Sequence, residues 1–455
     1  MDWQEFRLGL KCRMILSTLF ALLISSSFAH NGLVEEGFLV RDSNKIFLKH
    51  IQRHKDLVVD HMDKKSYEVY GPHGLGTWLE SMGADITDLA VIDGLDEKAA
   101  GDYPTPEEIS DQLLKLSQKF PNIMTLSSIG QTREGRNLWV MKISDNPTVD
   151  EVEPEVKYIA NMHGNEIVGR ELMLKLIEDI GNRYNAGDKD IIELVDNTEV
   201  FIMPSMNPDG ALKRQRGNGA WKDLNRNFPD FSTQDNRDVP DGREPETKAV
   251  MAWQNSRNFS LSANFHGGTK VVNYPWDTTR DPAPLTDLIV ELSGEYASKV
   301  DGFFNSTEFP GGIVNGNAWY EVDGGMQDWS YYYHNDLQVT IELSHTKWPP
   351  YSDIPQYYSE NAWSLVRFLK RIHQGLGVKL PDHSPSGKMT LYRLINGQKQ
   401  KIGDYKISGG EFYKVLNQGV YEVIVTLDSG ETKTTRVDVN FDLLRPNGNF
   451  LSLWP

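Results

Sequence analysis

Two apolar runs, Val156–Met162 and Leu261–Phe265, each end in a His-Gly pair. Short runs this apolar read as strands of a mostly buried sheet, which helices must cover. The segments around them alternate accordingly. Leu138–Ile143, Val200–Pro204 and Leu337–Leu343 read as further strands. Ile167–Tyr184 carries Leu172, Leu176 and Ile180 on one helical face; Pro284–Val300 and Tyr357–His373 are also predicted helices, the last stopped by Gly375 and Gly377. The expected class is α/β, a mixed sheet flanked by helices.

This unit is predicted to start near Tyr103 and run to residue 376. Thr105 is a suitable N-cap, Pro106 suits the first helical position, and Glu108 stands three after the cap. Beyond Gly377 the pattern changes. Lys388–Leu394, Phe412–Leu416, Val420–Leu427 and Thr432–Phe441 read as short strands separated by Asn-Gly, Gly-Gly and Ser-Gly turns. Residues 377–455 are therefore expected to form a small β-sandwich. Residues 30–102 carry no chemical motif and are read as a pro-region, a packing extension or a partly ordered leader.

The start of the chain reads as a secretory signal peptide. Lys11 and Arg13 precede an apolar run, Met14–Ile24, too short to span a bilayer, and Ser27-Phe-Ala29 follows with small residues at its first and last positions. Cleavage after Ala29 would remove Cys12, the only cysteine, and with it both disulfide and thiol chemistry. The expected location is secreted or periplasmic, with no membrane span after cleavage. A formal net charge of −17 argues against nucleic acid and favours cationic partners at long range.

The chemistry is concentrated where the two strands end. His163-Gly-Asn-Glu166 follows the first strand and His266-Gly-Gly the second. Side chains at the carboxyl ends of strands stand on the edge where α/β proteins bind ligands. Two histidines and a glutamate make an open three-ligand zinc site. Further polar segments lie nearby: Asp223-Leu-Asn225-Arg226-Asn-Phe, Tyr320-Glu-Val-Asp-Gly-Gly-Met-Gln327-Asp328-Trp, and Thr340-Ile-Glu342-Leu. Glu342 within an apolar strand is costly as mere structure.

Taken together, these five motifs resemble the zinc metallocarboxypeptidases, specifically the regulatory subfamily that includes carboxypeptidases N, E, M and D. The resemblance covers about Tyr103–His373. It extends to the C-terminus, because that subfamily carries a transthyretin-like β-sandwich there. It implies an eight-stranded mixed sheet, one Zn2+ per catalytic domain, and His163, Glu166 and His266 as its ligands. Glu342 matches the general base and Arg216 the arginine that polarises the scissile carbonyl, with Arg214 as a near competitor. Asn225 and Arg226 match the clamp on the substrate's terminal carboxylate, and Tyr320 the tyrosine that closes over it. Asp277 matches the acid that selects a basic side chain, with Asp281 nearby, and Gln327 matches its neighbour in the pocket. The implied partners are peptide or protein C-termini ending in Lys or Arg, acted on by a monomer. Two other functions remain open: a peptidase trimming peptidoglycan peptides beside diaminopimelate, and an inactive zinc-binding scaffold.

Overall fold

The computed structural model describes residues 35–54, 56–92, 103–441 and 450–454. The expected signal peptide, residues 1–29, lies outside them. Two compact units are present, the first ending at Ile92. No helix among the described residues is long and apolar enough to cross a membrane.

The first unit is folded. Strands β1 (Glu35–Arg41), β2 (Val58–Asp60), β3 (Ser66–Pro72) and β4 (Asp85–Asp88) form an antiparallel sheet in the order β2-β3-β1-β4. A helix at Leu75–Ser81 buries Leu75, Trp78 and Leu79 with Val40, Ile51, Tyr67 and Val69. This small core makes residues 35–92 more than a leader.

In the second unit, eight strands build the main sheet: β5 (Met124–Gln131), β6 (Asn137–Ile143), β7 (Glu155–Ala160), β8 (Glu199–Met203), β9 (Phe259–His266), β10 (Lys270–Tyr274), β11 (Ile313–Asn315) and β12 (Leu337–Leu343). Their order is β11-β10-β12-β9-β7-β8-β6-β5. The central four, β12-β9-β7-β8, are parallel, and every residue in them is buried. Helices cover both faces. Pro106–Lys119, Val168–Asn185, Thr286–Ala297 and Ile354–Lys370 pack on one, while Pro245–Asn255 and Met326–His334 pack on the other. The capping box forms as expected: Thr105 N donates to Glu108 Oε2 at 2.8 Å and Glu108 N to Thr105 Oγ1 at 3.2 Å.

Strands β9 and β12 are two-faced. Leu261, Ala263 and Phe265, with Val339, Ile341 and Leu343, enter the larger apolar core. Ser262, Asn264 and His266, with Gln338, Thr340 and Glu342, are the alternate residues, and a period of two puts them on the opposite face. They satisfy one another there: Asn264 Nδ2 donates to Gln338 Oε1 and Thr340 Oγ1, both at 3.1 Å. This buried polar stripe ends in His266 and Glu342.

The last helix stops earlier than its glycines suggest. It runs Ile354–Lys370 and tightens into a 3₁₀ turn, Arg371–His373. Gly375 and Gly377 are instead part of a strand, β13 (Gly375–Lys379). With β14 (Gly387–Ile395), β15 (Gln398–Ile407), β16 (Glu411–Val415), β17 (Gly419–Leu427), β18 (Thr432–Val439) and β19 (Phe450–Ser452) it makes two sheets, β16-β13-β19 and β15-β14-β17-β18. They share a core that includes Leu376, Met389, Leu391, Ile407, Tyr421 and Val423. Asn396 and Gly397, both at positive φ, form the two-residue turn between β14 and β15.

Candidate metal centre and active site

His163, Glu166 and His266 are brought together, all buried, with one donor atom from each within 4.8 Å of the others. His266 Nδ1 lies 3.0 Å from His163 Nδ1 and 2.9 Å from Glu166 Oε2; His163 Nδ1 is 3.1 Å from Glu166 Oε1. Both histidines therefore present the same ring nitrogen to one point. His163 and Glu166 stand on a turn ahead of the helix, which begins only at Val168. Asn161, at φ 55°, holds that turn by donating Nδ2 to the carbonyls of His163, Gly164 and Glu166.

The far side of His163 is fixed by Asp223, whose role the motif around it does not reveal. His163 Nε2 and Asp223 Oδ1 are 3.1 Å apart, which places the ring proton on Nε2 and leaves Nδ1 with its lone pair inward. The other Asp223 oxygen takes Nε of Arg216 at 3.0 Å. Burial alone would raise the Asp223 carboxyl, but Arg216 and His163 hold it far below the usual range. Arg216 is fully buried, and its Nη1 reaches to 3.1 Å from His163 Nδ1 and 3.4 Å from Glu166 Oε1. Arg214 turns away, its guanidinium 5.1 Å from the centre of the Trp348 ring. Asn207 ties this loop to the metal turn, donating Nδ2 to the carbonyls of Met162, Arg216 and Gly217.

Two imidazole nitrogens and a carboxylate converging on one point suit zinc. When bound, zinc supplies Lewis-acid polarisation of a carbonyl and lowers the pKa of water toward ~7. Glu342 is outside that triad and next to it: in the β12–β9 register it is the direct partner of His266.

The remaining expected residues line a second region. Asp223 caps the short turn Leu224–Arg226, accepting Asn225 N at 2.8 Å. Asn225 Oδ1 accepts Met326 N at 3.0 Å, and Arg226 Nη1 donates to the Asn225 carbonyl. Asp277 is buried, while Asp281 is exposed. Asp277 Oδ1 accepts Asn273 Nδ2 at 3.1 Å and Gln327 Nε2 at 3.0 Å. Burial pushes its carboxyl up to about 7. Gly316 is required beside it, since a Cβ there would come within 1.6 Å of Asp277 Oδ1. Tyr320 is half-buried on the loop after Gly316–Trp319, its ring edge-on to Trp319 at 4.9 Å. The same loop reaches Asp277 through Val322 N.

The chain matches the zinc carboxypeptidase family model over residues 109–364. It is 39% identical over 367 residues to human carboxypeptidase D, covering 73% of this chain and 26% of that protein. Carboxypeptidase M of Mus musculus is 37% identical over 378 residues, with 77% of this chain and 83% of the relative covered. The human carboxypeptidase N catalytic chain is 34% identical over 381 residues, covering 73% and 82%. The matched stretch thus spans about a quarter of the carboxypeptidase D chain and most of the M and N chains. The fold agrees with carboxypeptidase A from Helicoverpa armigera (TM-score 0.59, 20% identity, 74% of this chain and 97% of that one). It also agrees with thrombin activatable fibrinolysis inhibitor (TM-score 0.56, 17% identity, 73% and 97%). A sheet of this order, a buried His-Glu-His triad at the ends of its central strands and relatives of this identity all lead to one assignment: the chain belongs to the zinc carboxypeptidase family.

Proposed function

We propose that the protein is a zinc-dependent exopeptidase that removes a C-terminal Lys or Arg from peptides. The observation that carries the specificity is the pairing of Asn225 with Asp277 across Gly325. A Cβ on Gly325 would stand 3.6 Å from Asn225 Oδ1 and 3.7 Å from Asp277 Oδ2, so both groups border one space. Asn225 has its carbonyl oxygen committed to Met326 N, which leaves its amide N–H bonds to meet a terminal carboxylate. Arg226, about a fifth exposed, adds a guanidinium fork suited to both carboxylate oxygens. Asp277 Oδ1 is held by two side-chain amides, and Oδ2 is turned to the Gly325 side. A buried acid there meets a cationic side chain.

The other residues divide the chemistry. His163, Glu166 and His266 hold zinc. Glu342 takes the proton of the attacking water and passes it to the leaving amine. Arg216, oriented by Asp223, faces the developing oxyanion, a contribution of about 3–4 kcal/mol in comparable sites. Tyr320 closes over the bound residue. The chain acts as a secreted or periplasmic monomer. Its C-terminal sandwich is a transthyretin-like structural companion, and residues 30–102 are a separate N-terminal extension.

Release of the last residue from matched peptides ending in Arg, Lys, Phe, Leu, Glu and diaminopimelate, with and without a zinc chelator, tests this reading. Chelator-sensitive release of Arg and Lys above all others is expected. Preferred release of another residue would discard the specificity and keep the chemistry. Release of none by the zinc-loaded protein would overturn the enzyme reading.

A further inference from the structure

Behind Asp277 lies a second buried acid that the proposed reaction does not use. Asp328 stands in the first turn of the helix Met326–His334 and is almost fully buried. Its Oδ2 accepts two backbone donors, Asp277 N at 2.8 Å and Thr278 N at 3.0 Å. Its Oδ1 is buried with no hydrogen-bond partner among the described residues. The residue before it, Gln327, holds the Asp277 side chain. One helical turn thus grips Asp277 by side chain and by backbone.

We propose that Asp328 is a positioning residue of the basic-side-chain pocket: by accepting the Asp277 and Thr278 backbone N–H groups on one oxygen it fixes the Asp277 carboxyl where it meets a cationic side chain. The inference rests on the reading of Asp277 as the selecting acid.

The electrostatics follow from the neighbours. Burial, and then the Asp277 charge, hold Asp328 well above the ordinary carboxylate range. Asp230 is a third acid in the cluster, supplied with donors from Ser232 N, Ser232 Oγ, Thr278 Oγ1 and Gly324 N. Asp323 accepts Thr278 Oγ1 at 2.8 Å. Arg226 is the cation whose charge favours ionised Asp277. An entering guanidinium or ammonium adds a positive charge and likewise favours ionised Asp277. Two further buried acceptors, Gln327 Oε1 and Asn273 Oδ1, have no partner among the described residues and belong to the same cluster.

Asp328→Asn tests whether acceptance of the two backbone donors is what matters. It keeps an oxygen to accept both backbone N–H groups and removes the second acid. The test is the pH dependence of KM, from pH 5.5 to 8.5, for matched peptides ending in Arg and in Leu. The zinc-loaded full chain and its Asp328→Asn, Asp328→Ala and Asp277→Asn variants are compared. In the unchanged protein, KM for Arg is expected to rise as pH falls through about 7, with no such limb for Leu. Asp328→Asn, which still accepts both backbone N–H groups, is expected to keep the limb and the Arg-to-Leu ratio of kcat/KM of the unchanged protein. Asp328→Ala, which also strips both backbone donors of their acceptor, should lower the Arg-to-Leu ratio of kcat/KM at least tenfold. A folded Asp328→Ala variant with the ratio of the unchanged protein overturns the inference; so does an Asp328→Asn variant whose ratio falls as far as that of Asp277→Asn, whether or not Asp328→Ala folds. Failure of the underlying reading looks different: Asp277→Asn would then leave the Arg-to-Leu ratio as it was.

Discussion

Glu342 and His266 are register partners on adjacent parallel strands, β12 and β9, so the proposed base is set directly beside a proposed metal ligand without joining the His163-Glu166-His266 triad. Because both backbones are in the central sheet, this spacing is rigid. Glu342→Gln keeps shape and hydrogen-bonding capacity but cannot take a proton. Turnover should fall by roughly 10²–10⁴-fold. Zinc content by elemental analysis and the melting temperature should stay at the level of the unchanged protein. Retained turnover would remove Glu342 from the mechanism.

Asp223 touches two functional groups at once, His163 through Oδ1 and Arg216 through Oδ2. Asp223→Ala should weaken zinc binding by about 10–100-fold, as loss of an outer-shell partner does. Competition with a chromogenic chelator measures this without reference to activity. Unchanged zinc affinity would make Asp223 a partner of Arg216 alone.

Asp277 also links pH to stability. Its folded carboxyl is raised by burial to about 7, above its usual 3.8. A raised acid binds its proton more tightly in the folded state. It therefore supports the fold fully below the ordinary value, and that support is lost as pH rises from about 4 to 7. Asp277→Asn should accordingly raise the melting temperature at pH 8 and do little at pH 4. A gain of equal size at both pH values would assign the effect to packing.

The capping box at the first catalytic-unit helix predicts a purely structural effect. Thr105→Ala removes the acceptor for Glu108 N and should cost about 1 kcal/mol, typically within 0.5–2. Denaturant unfolding measures it, and kcat for any cleaved peptide should not move. A loss well above this range would mean that Thr105 supports more than its helix.

Zinc removal should abolish turnover with the fold retained, because the main sheet buries an apolar core on both faces that does not include the triad. Circular dichroism before and after dialysis against a chelator, followed by zinc addition, checks both halves. Collapse of the spectrum on removal would make the metal structural.

Much was legible in the sequence because it depends on local rules. Apolar runs of strand length mark the buried strands, and β12 was delimited as Leu337–Leu343 from composition alone. The Thr105-Pro106-Glu108 signal marks a helix start through bonds between neighbours. The His163, Glu166 and His266 triad was legible because residue type, chain order and position after a strand recur as a motif. Elements with weak local signals were not found. Strand β15 is polar and largely exposed, and it is defined by pairing with β14; Gly375 and Gly377 look like helix stops until strands β16 and β19 pair beside them. Residues with no chemistry of their own were missed as well: Asn161 and Asn207 organise the site only through carbonyls that the fold brings near. By itself, the sequence determined the α/β class, the triad and the candidate base, since these follow from periodicity and from the donors a metal requires. The tertiary structure decided that Arg216 rather than Arg214 enters the site, that Asp277 rather than Asp281 is buried, and that Asp223 and Asp328 stand behind the working groups. Burial and charge coupling depend on distances between segments far apart in the chain, which no local pattern encodes.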